Sequence, residues 1–299
     1  MNNQKHYAAA IAAFVIWGFF TIPLRALQAY TPGEILYYRI LFSFVVLLII
    51  IGGFRRKALR EDVRRLKTYT QRKRNGVISL TLLGGVLLCV NWLTFIYIVN
   101  YINIKTASFS YLICPVLTAV LGYVIIHEKL SRMQWLAVAL CSVSCILIGI
   151  NSALELGFSF LTALTYALYL ITQRKNQGFD RMIVLGIQVA FSFLILSALF
   201  PFLVTTVPTA TEFYSIIMAI AVVFTVLPLF LNLYALNRID SATIGILMYI
   251  NPIFNFTLAF ILFKESITVI QLFGYLIILV ALVVFNYQNF TKLKPTTQA

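Results

Sequence analysis

Apolar positions along this chain do not alternate and do not fall on one helical face. They come in unbroken blocks of about 20 residues, the length a helix needs to cross the hydrocarbon core of a bilayer. Ten such blocks occupy residues 7–28, 33–54, 77–100, 104–127, 132–150, 153–173, 182–205, 212–236, 241–263 and 268–288; they are called spans 1 to 10. Backbone groups in lipid must be satisfied within the segment or in a closed barrel. A barrel would show alternation over ten-residue pieces, so the pattern predicts an all-α integral membrane protein with ten transmembrane helices.

The blocks repeat. Shifting the chain by 137 residues superposes spans 3–5 on spans 8–10 and pairs Tyr97 with Tyr234, Asn100 with Asn237, Thr106 with Thr243, Pro115 with Pro252, Glu128 with Glu265 and Gln134 with Gln271. A shift of 149 superposes span 1 on span 6, pairing Trp17 with Tyr166 and Arg25 with Arg174. Two five-helix halves are expected, residues 1–150 and 151–299. Five is odd, so the second half enters the membrane from the opposite side. Such inverted repeats are a common transporter design, because two like halves can exchange conformations and open a central cavity to each side in turn.

Polar side chains inside such spans face the bundle interior or a cavity. In span 6, Ser159, Thr162, Tyr166, Tyr169 and Gln173 are three or four apart and share a face. Span 9 carries Met248, Asn251 and Asn255, and span 8 carries Thr225, Pro228 and Asn232. Span 3 offers Leu88, Asn91 and Phe95 with Trp92 beside them; span 4 offers Tyr111, and span 1 offers Trp17 and Phe20. Spans 1 and 6, 3 and 8, and 4 and 9 are therefore expected to build a central cavity. The competing role for the same polar groups is to tie helices together. Pro115 and Pro252 are expected near mid-membrane, each freeing a carbonyl one turn earlier and acting as a hinge or a local acceptor. Arg39 lies about 9 Å into span 2. It has three open roles: binding an anionic group, pairing with Glu34, or reaching back to the surface.

Composition and charge refine this picture. The chain has 299 residues, 61% hydrophobic and 11% charged, with a mean hydropathy of +0.94. Its net charge of +14 is not a nucleic-acid footprint, because ten Lys or Arg fall within residues 55–74, between spans 2 and 3. Positive residues favour the cytoplasmic side, which places this loop and both termini inside. Only Arg25, Arg39, Lys105 and Lys264 then fall on or near the outer side. Fixing topology is a sufficient role for the basic segment; contact with anionic lipid headgroups is a second. The first block reads as an uncleaved first helix. Cys89, Cys114, Cys141 and Cys145 all lie in apolar spans and form no disulfide framework or metal pattern.

No phosphate loop, zinc-binding helix or catalytic triad pattern is present, so no enzyme, cofactor or metal is expected. No carboxylate lies near the centre of any span, which removes the usual midplane proton relay. Besides a transporter of small molecules, the residues leave open a lipid transporter or a non-transporting membrane scaffold, since architecture does not fix function.

Several strings are specific enough to carry a resemblance: Phe14-Val15-Ile16-Trp17-Gly18, Glu34-Ile35-Leu36-Tyr37-Tyr38-Arg39, Asn91-Trp92-Leu93-Thr94-Phe95-Ile96-Tyr97, Ser110-Tyr111 through Pro115, Arg132-Met133-Gln134-Trp135-Leu136-Ala137-Val138, and Tyr249-Ile250-Asn251-Pro252. The chain resembles the EamA, or drug/metabolite transporter, superfamily, in its RarD-like branch. That resemblance implies an inner-membrane permease with inverted repeats and alternating access, exporting amino-acid-like compounds, drugs or other small polar metabolites. Arg39, Asn91, Trp92, Tyr111 and Asn251 occupy the branch's shared positions; Trp17, Tyr166, Tyr169, Asn232 and Asn255 join them from the polar and aromatic faces. The superfamily usually has Gly before the Glu that ends spans 4 and 9. His127 and Lys264 stand there instead, so a local difference in helix termination is expected.

Overall fold

In the computed structural model, residues 4–127, 129–176, 178–236, 238, 247–266 and 268–292 are described. Glu128, Asn237, Thr243 and the first part of span 9 lie outside them. Every regular element among the described residues is helical: α1 (Gln4–Gly18), α2 (Thr21–Ala26), α3 (Pro32–Phe54), α4 (Arg56–Thr68), α5 (Gln71–Tyr97), α6 (Ile104–Ile126), α7 (Arg132–Asn151), α8 (Ala153–Lys175), α9 (Arg181–Ala198), α10 (Phe200–Leu203), α11 (Thr211–Ala221), α12 (Leu227–Leu236), α13 (Ile250–Ile261) and α14 (Val269–Lys292). Among the described residues, seven helical stretches are long and apolar enough to cross a membrane: Gln4–Ala26, Pro32–Phe54, Gln71–Ile102, Ile104–Ile126, Ala153–Lys175, Arg181–Ala198 and Thr211–Asn232. Three shorter apolar stretches lie in α7, α13 and α14.

The helix starts follow capping chemistry. Thr31 and Glu34 form a reciprocal capping box at α3, with Pro32 in the first turn, where its missing N–H costs nothing. Asp180 caps α9 by accepting from the N–H groups of Met182 and Ile183. Asn103 caps α6 and Ser152 caps α8. Thr31 and Asp180 are 149 positions apart, the shift that pairs Arg25 with Arg174.

Helix ends show a second correspondence. His127 and Lys264, 137 positions apart, both adopt the left-handed conformation, with φ of 59° and 50°. Helix termination is therefore not altered by the loss of glycine; these two residues take the glycine conformation at a steric cost. After Lys264, the Glu265 N–H reaches back six residues to the Ala259 carbonyl at 2.9 Å, which satisfies one of the last carbonyls of α13.

The structure departs from the expected spans in three places. The basic segment after span 2 is not a loop: residues 56–68 form α4, which buries none of its residues. Its Arg, Lys and Leu are good helix formers, and Leu59 and Leu66 are only half exposed. Span 8 is not one regular helix. Five residues, Val222–Val226, take a π-helical turn between α11 and α12, and another, Ile98–Ile102, follows α5. Pro252 is not mid-helix but lies in the first turn of α13, where proline is tolerated; Met248's carbonyl, which it leaves free, accepts from the Asn251 N–H at 3.2 Å. Pro115 does sit inside α6.

The main packing partners are α7 with α14, α6 with α8, α5 with α8, α1 with α12, α1 with α13, α3 with α9, α5 with α9, α6 with α13, and α3 with α11. Some approaches are very close. A Cβ on Gly85 of α5 would lie 2.8 Å from the Gln188 carbonyl oxygen of α9, and one on Gly18 would lie 2.6 Å from Phe254 Cβ. Small residues at such crossings let backbones meet, the usual basis of helix association in lipid.

Candidate functional site

A cavity of about 60 Å³ lies where α1, α3, α5, α6, α8, the π-helical turn after α11, α12 and α13 converge. That is room for a few water molecules. Its wall is mostly aromatic: Phe14, Trp17, Phe20, Trp92, Phe95, Tyr111, Tyr166 and Phe224. Its polar groups come from Arg39, Asn91, Thr225 and Asn251.

Among the described residues, Arg39 is the only charged one on the cavity wall. The side chain is 3% exposed. Its Nε donates to Thr225 Oγ1 at 3.0 Å. Its Cζ lies 4.7 Å from the ring centroids of both Phe20 and Trp92. Cation–π contacts contribute about 2 kcal/mol when desolvated, which offsets part of the burial cost. No carboxylate among the described residues forms a salt bridge with Arg39, and Nη1 is buried without a hydrogen-bond partner. Of its three sequence-level roles, pairing with Glu34 and reaching the surface are therefore excluded. Glu34 sits on another face of α3 and accepts from Thr31, Thr205 and Thr206.

The π-helical turn builds the wall opposite. Thr225 Oγ1 donates to Ile220 O, five residues back, at 3.0 Å. Pro228 has no N–H to give the Phe224 carbonyl, and the Trp17 indole N–H donates to that carbonyl instead, at 3.1 Å. A proline on α12 thus fixes a tryptophan on α1.

Asn91 is fully buried. Its Nδ2 donates to the Thr162 carbonyl at 2.8 Å, an acceptor that settles which amide atom is nitrogen. Its Oδ1 has no partner. Thr162 in turn donates to Thr94 at 3.0 Å, so α5 and α8 are tied by a polar ladder beside the cavity. Tyr111 and Tyr166 meet edge-on at 5.9 Å. Asn251 accepts from Asn255 Nδ2 at 2.6 Å.

Of the ten residues singled out from the sequence, Trp17, Arg39, Asn91, Trp92, Tyr111, Tyr166 and Asn251 line the cavity. Tyr169, Asn232 and Asn255 do not. Tyr169 packs tilted against Tyr166, Asn255 links Thr21 to Asn251, and Asn232 keeps a buried oxygen off the wall. Sequence reasoning gave Thr225 and Phe20 as face residues but not as partners of Arg39. Phe224 carried no signal beyond its place four residues before Pro228.

Polar ties hold both ends of the bundle. At one, Glu265 receives the N–H groups of Ile104 at 2.8 Å and Lys105 at 3.2 Å and pairs with Arg25 at 3.3 Å. At the other, Arg55 pairs with Asp180 at 3.1 Å, and Asp62 on α4 accepts the Asp180 N–H at 2.9 Å. Burial raises the Asp62 carboxyl above its ordinary range.

An all-helical body with several membrane-length apolar helices, and a polar cavity walled by aromatic rings at its centre, defines a multi-pass membrane protein. The model of the EamA-like transporter family matches residues 4–150 and 154–287, and the chain belongs to that family. It is 31% identical over 297 residues to Protein RarD of Salmonella typhimurium, covering 95% of each chain. It is 28% identical over 300 residues to the uncharacterized transporter YojE of Bacillus subtilis, covering 96% of this chain and 95% of that one. A solved crystal structure 13% identical in sequence shares the fold at a TM-score of 0.63, over 96% of this chain and 99% of that one. The RarD-like resemblance read from the motifs agrees with these relatives, and the family's description and the name of the Bacillus subtilis relative mark transporters.

Proposed function

We propose that the protein is a permease of the bacterial inner membrane that moves small polar metabolites outward by alternating access. The observation that carries this reading is the cavity: Arg39, Asn91 and Asn251 are buried in the centre of an apolar bundle, where polar groups are costly and serve a solute path. The proposed architecture is ten transmembrane helices in two inverted halves, residues 1–150 and 151–299, with both termini cytoplasmic. The packing supports it. Exchanging α1 with α8, α3 with α9, α5 with α11–α12, α6 with α13 and α7 with α14 maps the set of main helix contacts onto itself. Under that exchange the Arg25–Glu265 tie closes the outer end. Pro115 and Pro252 are the proposed hinges. The basic face of α4 meets anionic headgroups of the inner leaflet.

A lipid transporter is the second reading. An apolar crevice of about 750 Å³ between α6, α7 and α8, lined by Ile113, Val120 and Phe160 among others, is the observation in its favour.

The test is counterflow with a metabolite panel on reconstituted protein, alongside Arg39→Ala and Asn91→Ala variants that remain monodisperse. Solute exchange is expected, reduced about tenfold or more by either variant. Wild-type rates in both would remove the cavity as the site. Exchange of fluorescent phospholipid with no metabolite counterflow would favour the lipid reading.

A further inference from the structure

Resting on the choice of this cavity as the solute site, we infer that its occupant is a small organic monoanion, held by a single carboxylate against Arg39. Three observations lead there. The first is charge. A guanidinium keeps its proton in proteins, and this one is buried with no carboxylate mate among the described residues. A buried cation in apolar surroundings is costly unless a counter-charge arrives, and one cation calls for one negative charge. No second Lys or Arg is on the wall among the described residues, so a phosphate dianion would bring excess charge. No Asp or Glu lines it among the described residues either, and the rings of Phe20 and Trp92 are already taken by Arg39.

The second observation is the hydrogen-bond inventory. Nε is committed to Thr225, while Nη1 is buried and unpartnered. The free donor of a guanidinium fits a carboxylate oxygen, and such charge-assisted bonds are about twice as strong as neutral ones. Asn91 Oδ1 is the complementary orphan, an acceptor without a donor. It fits a hydroxyl or N–H on the same solute. The third is the wall itself. Its rings offer apolar faces to an uncharged body.

Binding is read from tryptophan fluorescence of the purified, detergent-solubilised protein, because Trp92 touches Arg39 and Trp17 shares the wall. Acetate, uncharged acetamide and cationic methylamine are the probes, each of a size the cavity holds. Acetate is expected to quench saturably and to bind about tenfold or more tighter than acetamide, with methylamine weaker still. Arg39→Gln is expected to bring acetate down to the acetamide level, and Arg39→Lys to fall between. Should Arg39→Gln fail to fold, thermal protection of the wild-type protein by acetate but not acetamide makes the same distinction. Equal binding of acetate and acetamide, undiminished acetate binding in folded Arg39→Gln, or no response to acetate overturns the inference. Arg39-dependent acetate binding without counterflow in liposomes leaves the anion site standing and removes the transport reading. Counterflow of neutral solutes alone does the reverse.

Discussion

Glu265 Oε1 lies 3.3 Å from an Arg25 guanidinium nitrogen, 240 positions away in the chain. The same carboxylate takes two N–H groups at the start of α6. One side chain thus joins α2, the turn after α13 and the positive end of a long helix. Glu265→Ala is expected to cost about 1–2 kcal/mol through the lost cap and the stranded Arg25. Glu265→Gln keeps one acceptor and is expected to lose about half as much. Thermal melting in detergent distinguishes them; equal melting of wild type and Glu265→Ala would sink the assignment.

The two left-handed caps make a prediction of opposite sign. His127→Gly and Lys264→Gly relieve steric cost at φ of 59° and 50°, and each is expected to stabilise the fold by about 1 kcal/mol. His127→Ala and Lys264→Ala retain the Cβ and are expected to bring no such gain. The paired melting curves check both halves at once.

Gly85 sets the approach of α5 to α9, where a Cβ would press on the Gln188 backbone. Its own carbonyl accepts from Ser192 Oγ at 3.0 Å, so the helices cannot part without losing that bond. Gly85→Ala is expected to cost about 1–3 kcal/mol from overpacking, and Gly85→Leu to abolish a monodisperse peak on size exclusion. Gly76, whose Cβ would meet nothing, is the control and should tolerate alanine.

Trp17 and Pro228 form a testable couple. Trp17→Phe leaves the Phe224 carbonyl without its donor and is expected to cost about 1–2 kcal/mol. Pro228→Ala restores a backbone N–H for that carbonyl, so Trp17→Phe in the Pro228→Ala background is expected to cost about 1 kcal/mol less. Additive losses in the double-mutant cycle would show that the proline does not make the tryptophan's site.

The wall residues that announced themselves in the sequence did so because they break an apolar block. Arg39, Asn91 and Asn251 stand out among Leu, Ile and Val, and the cost of placing them in lipid makes an interior position the economical one. Their partners gave no such sign. Phe224 and Thr225 gain their roles from a π-helical turn, which adds one residue to a helical turn without changing its apolar composition. Asn255 shares a helical face with Asn251, yet it packs against Thr21, because a face defined by period is wider than a cavity. Glu265 was legible as a helix-end carboxylate and as a repeat element. Its cap on α6 was not, since that contact joins residues 160 positions apart. The basic stretch before α5 showed its charge plainly, and the charge masked a good helix-forming sequence.

Arg39 is a positive charge buried inside an apolar body, and under the proposed transport cycle the response to voltage would depend on what the cavity holds. In alternating access, an empty site would carry its charge through part of the transmembrane field on each return, at up to about 2.3 kcal/mol per 100 mV for a full crossing. A site neutralised by one carboxylate would turn over with no net charge displaced. The loaded and empty halves of the cycle would then feel the membrane potential differently, and the potential would set the pace of the empty return.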